Sequence, residues 1–276
     1  MRVRVPPSAQ LIMITFFHQF APQAVFFSFY WIKIYWYGFL IVIGIISAMA
    51  VSRFLWKKKF SNLKLFDDLS FWLVVSGLIG ARVYEWFLNF NYYFSNPEEL
   101  LKIWHGGLAI HGAIIGALIA LIIFSKKHKI KASKIIAVVV PGLALGQAIG
   151  RWGNYFNQEL FGLPTNLSWG IFISPENRPL DYFQFSYFQP TFFYESLLCL
   201  LLFFVLLIAQ RKKAKELIII AIYFLGYGLI RFFLEFIKID STPQLLGLRW
   251  PQIISLLFII IGGILIYRSS KEKTHD

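Results

Sequence analysis

Three arginines sit where a guanidinium has chemistry to do. Arg151 lies in Gly150-Arg151-Trp152-Gly153-Asn154-Tyr155-Phe156-Asn157-Gln158-Glu159, where glycines, two asparagines and a glutamate crowd the end of an apolar stretch. Arg231 is four residues from both Tyr227 and Glu235, so a helix would carry all three on one face. Arg82 stands three residues before Glu85 in an otherwise apolar run. A guanidinium offers a planar fork of donors suited to carboxylate or phosphate. Asn154 and Asn157 donate and accept without carrying charge. His111, in His105-Gly106-Gly107-Leu108-Ala109-Ile110-His111-Gly112, is flanked by small residues and is of the type that exchanges a proton near neutral pH. Each admits a plainer reading: Arg231 with Glu235, or Arg82 with Glu85, as a self-satisfying pair; Arg151 as a snorkelling side chain at a helix end capped by Gly153; His111 as a structural histidine. Cys199 stands among leucines and reads as a small hydrophobe, not a nucleophile. No Gly-x-Ser-x-Gly elbow is present. His105 and His111 are six apart with no Cys or carboxylate cluster beside them, so no metal site and no cofactor is expected.

The elements that must position these groups are written in the composition. Of 276 residues, 58% are hydrophobic and only 15% charged, with 30 Phe, 13 Tyr and 9 Trp. A disordered chain and a disulfide-stapled domain are excluded by apolar content and a single cysteine. Seven stretches are apolar enough to cross a bilayer, at about 35–54, 67–89, 105–124, 134–151, 190–210, 217–237 and 251–267. Most of the 27 Lys and Arg follow the first, third, fifth and seventh, as in Lys57-Lys58-Lys59, Lys126-Lys127, Arg211-Lys212-Lys213 and the tail from Arg268. The positive-inside rule then puts the N-terminus outside and the C-terminus in the cytoplasm. That sorting accounts for the net charge of +13 without a nucleic-acid partner.

The expected fold is an all-α polytopic membrane protein: seven transmembrane helices with a small extracytoplasmic cap between spans four and five. Residues 1–34 form an outer arm, 35–267 the helical domain with the cap at 152–189, and 268–276 a cytoplasmic tail. MRVRV and the apolar run after it resemble a signal peptide, but Pro6, Pro7, Gln10, His18, Gln19 and Gln23 favour an interfacial arm. WGIFI at 169–173 reads as a strand within the cap. Ionisable groups within spans are expensive and mark function by default. Tyr37, Arg82, Glu85, His111, Arg151, Glu195 and Arg231 all fall in the outer halves, His111 roughly 9 Å deep at ~1.5 Å per residue. This points to one polar chamber open to the outer leaflet. With three guanidiniums at headgroup depth, its simplest ligand is the phosphate of a phospholipid.

At these residues the sequence resembles the prolipoprotein diacylglyceryl transferase family of bacterial inner membranes. GRWGNYFNQELFG at 150–162 is similar to the family's signature loop. WYG at 36–38, GAR at 80–82, GGLAIHGA at 106–113, PTFFYE at 190–195 and YGLIRFFLEF at 227–236 support it in order. The resemblance implies transfer of an sn-1,2-diacylglyceryl group from phosphatidylglycerol to the lipobox cysteine of a prolipoprotein signal peptide. A thioether forms and glycerol 1-phosphate leaves. Membrane lipid and signal peptides are then the partners, with no nucleic acid. It implies that His111, Arg151 and Arg231 carry the chemistry; His111 is the candidate general base by its residue type, the alternative being a nearby arginine that lowers the thiol's pKa directly. Substrate binding falls to Tyr37, Asn154, Asn157, Glu159, Gly162, Tyr227 and Glu235, joined by Arg82. Gln189 stands where many members carry His. Without the resemblance, a transporter or flippase for an anionic lipid or solute fits the arginines equally well, although the nearly apolar inner halves give it no second opening.

Overall fold

The computed structural model describes residues 20–30, 32–102, 104 and 106–271. The expectations for residues 1–19, for His105 and for 272–276 lie outside them. The described residues form eight helices and three two-stranded antiparallel sheets. In chain order these are β1 (Val25–Phe29), β2 (Ile32–Tyr35), α1 (Trp36–Lys59), α2 (Leu63–Leu88), α3 (Phe90–Ser95), α4 (Ile110–Lys127), α5 (Ala132–Phe156), β3 (Ile171–Phe172), β4 (Tyr187–Phe188), α6 (Thr191–Arg211), α7 (Glu216–Leu234), β5 (Gln244–Leu245), β6 (Leu248–Arg249) and α8 (Trp250–Lys271). Six of the helices, α1 and α4 to α8, are long and apolar enough to cross a membrane; α2 and α3 are not among them. Their outward surfaces are apolar: Val42, Ile45 and Ile46 on α1 and Ile115, Ile119 and Ile123 on α4 are exposed. Such surfaces suit a lipid solvent. The α2 helix, at 26 residues, matches the second predicted span in position but not in apolarity. Lys64, Asp67, Asp68, Arg82 and Glu85 dilute it.

The chain divides into two compact units: residues 52–138, and residues up to 51 together with those from 139. In the 52–138 unit, α2 and α4 approach through small residues. A Cβ on Gly80 would collide with the carbonyl of Gly112, and one on Gly116 with that of Ser76. Between apolar helices in lipid, van der Waals contact replaces the hydrophobic drive, so bare backbone at the interface is stabilising. At the start of α2, Asn62 caps the helix by accepting from the Leu65 amide at 3.3 Å. Trp56, fully buried between Phe60 and Phe66, donates to the Asn62 carbonyl at 3.0 Å.

In the other unit, α8 packs along α7 and α6 packs on α7. Trp152 of α5 donates to Ser196 of α6 at 3.2 Å, and Ser196 donates back to the Ala148 carbonyl at 2.8 Å. The segment between α5 and α6 is short strands and turns around a buried cluster of Tyr155, Phe161, Ile171, Ile173, Phe188 and Phe192. The predicted strand within 169–173 is β3, paired with β4 through Ile171 and Phe188.

Two predicted boundaries are corrected. The fourth span is expected to end at Arg151, with a Gly153 cap as the plainer reading of the segment; the helix runs on to Phe156. Gln158, not Gly153, takes the left-handed position at φ 51°. The Glu159 amide donates to the Asn154 carbonyl at 3.0 Å and the Gln158 amide to that of Tyr155 at 3.1 Å, a Schellman ending without glycine. The Gln158 side chain secures it, donating to the Pro22 carbonyl at 2.9 Å and accepting from the Ser174 amide at 2.6 Å. Gly153 serves another purpose: a Cβ there would strike the Tyr37 ring. The third span was expected from 105; α4 begins at Ile110, because Gly106 and Gly107 adopt positive φ and break the helix.

Candidate active site

The last two turns of α5, the first turns of α6 and the end of α7 bring charged groups together around one carboxylate. Glu195, four residues into α6, is 1% exposed. Its Oε1 meets Arg151 Nη2 at 2.9 Å. Its Oε2 meets Arg231 Nη1 at 3.2 Å and Lys238 Nζ at 3.4 Å. A carboxylate removed from water needs such partners, since a bare buried charge is costly. Arg231 also reaches Glu235 at 3.4 Å, one helical turn on. Glu235 in turn pairs with Arg249 Nε at 3.2 Å. Arg249 donates to the carbonyls of Glu235, Lys238 and Asp240, clasping the chain that leaves α7. Burial pushes the Lys238 ammonium below the ordinary lysine range, against the opposing pull of Glu195.

Arg151 extends the network towards the signature segment. It donates to Asn154 Oδ1 and to the Tyr227 hydroxyl, both at 3.4 Å. Asn154 donates to Glu159 Oε1 at 2.8 Å, and Asn157 donates to the same oxygen at 3.5 Å. Because α5 continues past Arg151, Arg151 and Asn154 lie three apart on one helical face. Gly162 is in close quarters: its amide donates to the Gln189 carbonyl at 2.9 Å, and a Cβ would crowd Ile237, Gln189 and Thr191. A cavity of about 410 Å³ opens beside this segment, lined in part by Asn157, Glu159 and Asp240. The Arg151 and Arg231 side chains keep 21% and 18% of their surface exposed, so donors remain for a ligand. Two forks converging from different helices can seat a tetrahedral oxyanion.

The sequence-predicted residues Tyr37, Arg151, Asn154, Asn157, Glu159, Gly162, Tyr227, Arg231 and Glu235 thus fall in one unit, most of them in one bonded network. His111 and Arg82 belong to the 52–138 unit. His111 stands exposed on the first turn of α4, with the Tyr84 ring 6.0 Å away, centroid to centroid. Arg82 is buried, and its donors go to backbone: the carbonyls of Leu100 at 2.9 Å, Gly106 at 2.6 Å, Gly107 at 2.7 Å, Lys102 at 3.2 Å and also Glu99. Tyr93 completes the seat through its hydroxyl at 3.2 Å. Among the described residues no three His, Cys, Asp or Glu side chains group as a metal site.

Sequence reasoning put Glu195 in the polar chamber without giving it a role, and left Lys238 and Arg249 out of the site. Glu195 carried a signal, as an acid inside an apolar span. Lys238 carried one too, since 231, 235 and 238 repeat the helical spacing of four and three. Arg249 carried none, because it is the hairpin after α7, not helical spacing, that returns it to Glu235.

The chain matches the sequence profile described as prolipoprotein diacylglyceryl transferase over residues 24–268. It is 44% identical over 237 residues to the phosphatidylglycerol–prolipoprotein diacylglyceryl transferase of Synechococcus elongatus, covering 84% of this chain and 82% of that one. It is 40% identical over 255 residues to the Synechocystis sp. protein of the same name, covering 90% and 89%. Against the Thermotoga maritima protein of that name it is 41% identical over 245 residues, covering 86% and 82%.

Proposed function

From its membership of the prolipoprotein diacylglyceryl transferase family, to which this chain belongs, we infer how its residues carry the reaction. The protein is a membrane enzyme that transfers a diacylglyceryl group from phosphatidylglycerol to a prolipoprotein, and the family decides for this over a transporter or flippase. The acceptor is the lipobox cysteine of the signal peptide. Its thiolate attacks the glycerol carbon that bears the phosphoester oxygen. The carbon–sulfur bond forms as that carbon–oxygen bond breaks, and glycerol 1-phosphate leaves with the electron pair.

Two demands follow. The thiol must lose a proton, since the thiolate is the nucleophile. The leaving phosphate must have its growing charge met. His111 takes the proton in this reading, which rests on the resemblance of its motif and on the exposure of its ring. Arg151 and Arg231 meet the phosphate. The observation that carries this is their convergence on Glu195 from α5 and α7 with donors to spare. Tyr37, Asn154 and Tyr227 orient the headgroup, Asn157, Glu159 and Gly162 shape the signature segment, and Glu235 fixes Arg231. Arg82 serves by holding the chain between α3 and α4, since its donors are taken by backbone.

We further propose that α2 is the seventh span, that the segment between α5 and α6 caps the outer face, and that the N-terminus lies outside. Lysines and arginines crowd the last turns of α1, α4, α6 and α8, which supports a cytoplasmic placement of those ends. The test is the mass of a lipobox peptide after incubation with purified protein and phosphatidylglycerol, beside a Cys→Ser peptide. A diacylglyceryl gain on the Cys peptide alone is expected; a gain on both, or on neither with folded protein, would sink the reading.

A further inference from the structure

Glu195 faces three cations, and they are not equivalent. Arg151 and Arg231 are partly open and hold several donors each. The Lys238 side chain is 2% exposed, and its charge has Glu195 as its nearest carboxylate at 3.4 Å. Its backbone is pinned: its carbonyl accepts from Arg249 at 2.5 Å, and the chain around it bridges to Gly162. Lys238 can therefore neutralise Glu195 but cannot turn away from it. The arginines can turn. When a phosphate draws both forks, Glu195 loses two of its three counter-charges. Stranding a bare carboxylate at 1% exposure would oppose that movement strongly.

We propose that Lys238 is a positioning residue that acts through Glu195: it stays as the resident counter-ion and so lets Arg151 and Arg231 leave the carboxylate for the phosphate of the lipid substrate. The role rests on the proposed function, and it separates the two tasks of the buried cluster. Glu195 holds the arginines aimed while the site is empty. Lys238 lets them go when the ligand arrives. A compact ammonium on a buried stem suits this better than a third fork, which would compete for the phosphate.

The experiment compares wild type, Lys238→Met, Lys238→Arg and the double variant Glu195→Gln/Lys238→Met. KM for phosphatidylglycerol and kcat are measured by peptide mass, Kd for glycerol 1-phosphate by calorimetry, and melting temperature alongside. Lys238→Met should raise KM and Kd on the order of 100-fold, with kcat at saturating lipid little changed. The double variant removes the carboxylate that needs a counter-ion, so it should regain most of that loss. Lys238→Arg should regain part of it. A lowered melting temperature with unchanged KM and Kd would overturn the proposal and leave Lys238 as a fold residue. A double variant no better than Lys238→Met would overturn it as well. If wild type transferred nothing, the proposed function would fall, while Kd for glycerol 1-phosphate would still decide the role of Lys238.

Discussion

Arg151 and Arg231 reach the same carboxylate from different helices, and a lysine, a single point charge, cannot reproduce either fork. Arg151→Lys and Arg231→Lys should each lower kcat/KM by about 100-fold through lost bidentate geometry, and the Ala variants by more, read by peptide mass at fixed lipid. Arg82 predicts the opposite signature. Arg82→Lys cannot serve the five carbonyls around it, so a loss of about 1–3 kcal/mol should appear as a lower melting temperature and faster proteolysis between α3 and α4. Lys238 supplies a pH signature. Its proton is lost at a lower pH than from an exposed lysine, because burial lowers its folded value. The folded protein therefore binds this proton more weakly than the unfolded chain, so the site opposes stability at neutral pH, and that opposition is relieved as pH rises from the folded value to the unfolded one. Phosphate binding, which needs the ammonium, should decline over that same alkaline window. In Lys238→Arg that decline in kcat/KM should move to higher pH. At this scale the sequence revealed residues whose types announce their work, such as Arg151 beside Asn154. It hid the partner: Arg231 reads as paired with Glu235 four residues on, whereas Glu195 on another helix lies nearer.

Helix α4 depends on α2 for its placement, and the dependence runs through backbone. A Cβ on Gly112 would meet the Gly80 carbonyl and the Tyr84 side chain. Gly112→Val should therefore cost about 1–3 kcal/mol by overpacking, seen as a lower melting temperature in detergent, and should impair the neighbouring His111 turn. Gly263→Ala, where nothing lies within reach of the new methyl, should not lower the melting temperature and, inside a helix, should raise it slightly. Apolar length made the helices legible as elements, because a bilayer demands it. Their ends were less legible. Helix α5 passes the glycine that looked like its stop and ends instead at Gln158, whose strained conformation is held by bonds to Pro22 and Ser174 far away in sequence. No local pattern encodes those partners.

The molecule as a whole carries its orientation in the ends of its helices. A phosphatase reporter fused after Asn177, between α5 and α6, should be active, and one fused after Lys213, between α6 and α7, inactive. The reverse pattern would invert the proposed topology and place the arginine network on the wrong side for an exported signal peptide. Composition foretold a lipid-facing surface, and the exposed isoleucines of α1 and α4 carry it. It could not foretell that the polar groups divide between two compact units, with the guanidinium network around Glu195 assembled wholly in one. That division comes from packing between segments distant along the chain.

One buried atom has a practical corollary. The chain has a single cysteine, and Cys199 is fully enclosed within α6. Although it lies one helical turn from Glu195, this thiol is enclosed by packing and presents no sulfur to a surface. The same enclosure makes the protein silent towards thiol dyes. In timed, quenched samples of enzyme, lipid and peptide, the loss of dye-reactive sulfhydryl would then belong to the peptide alone.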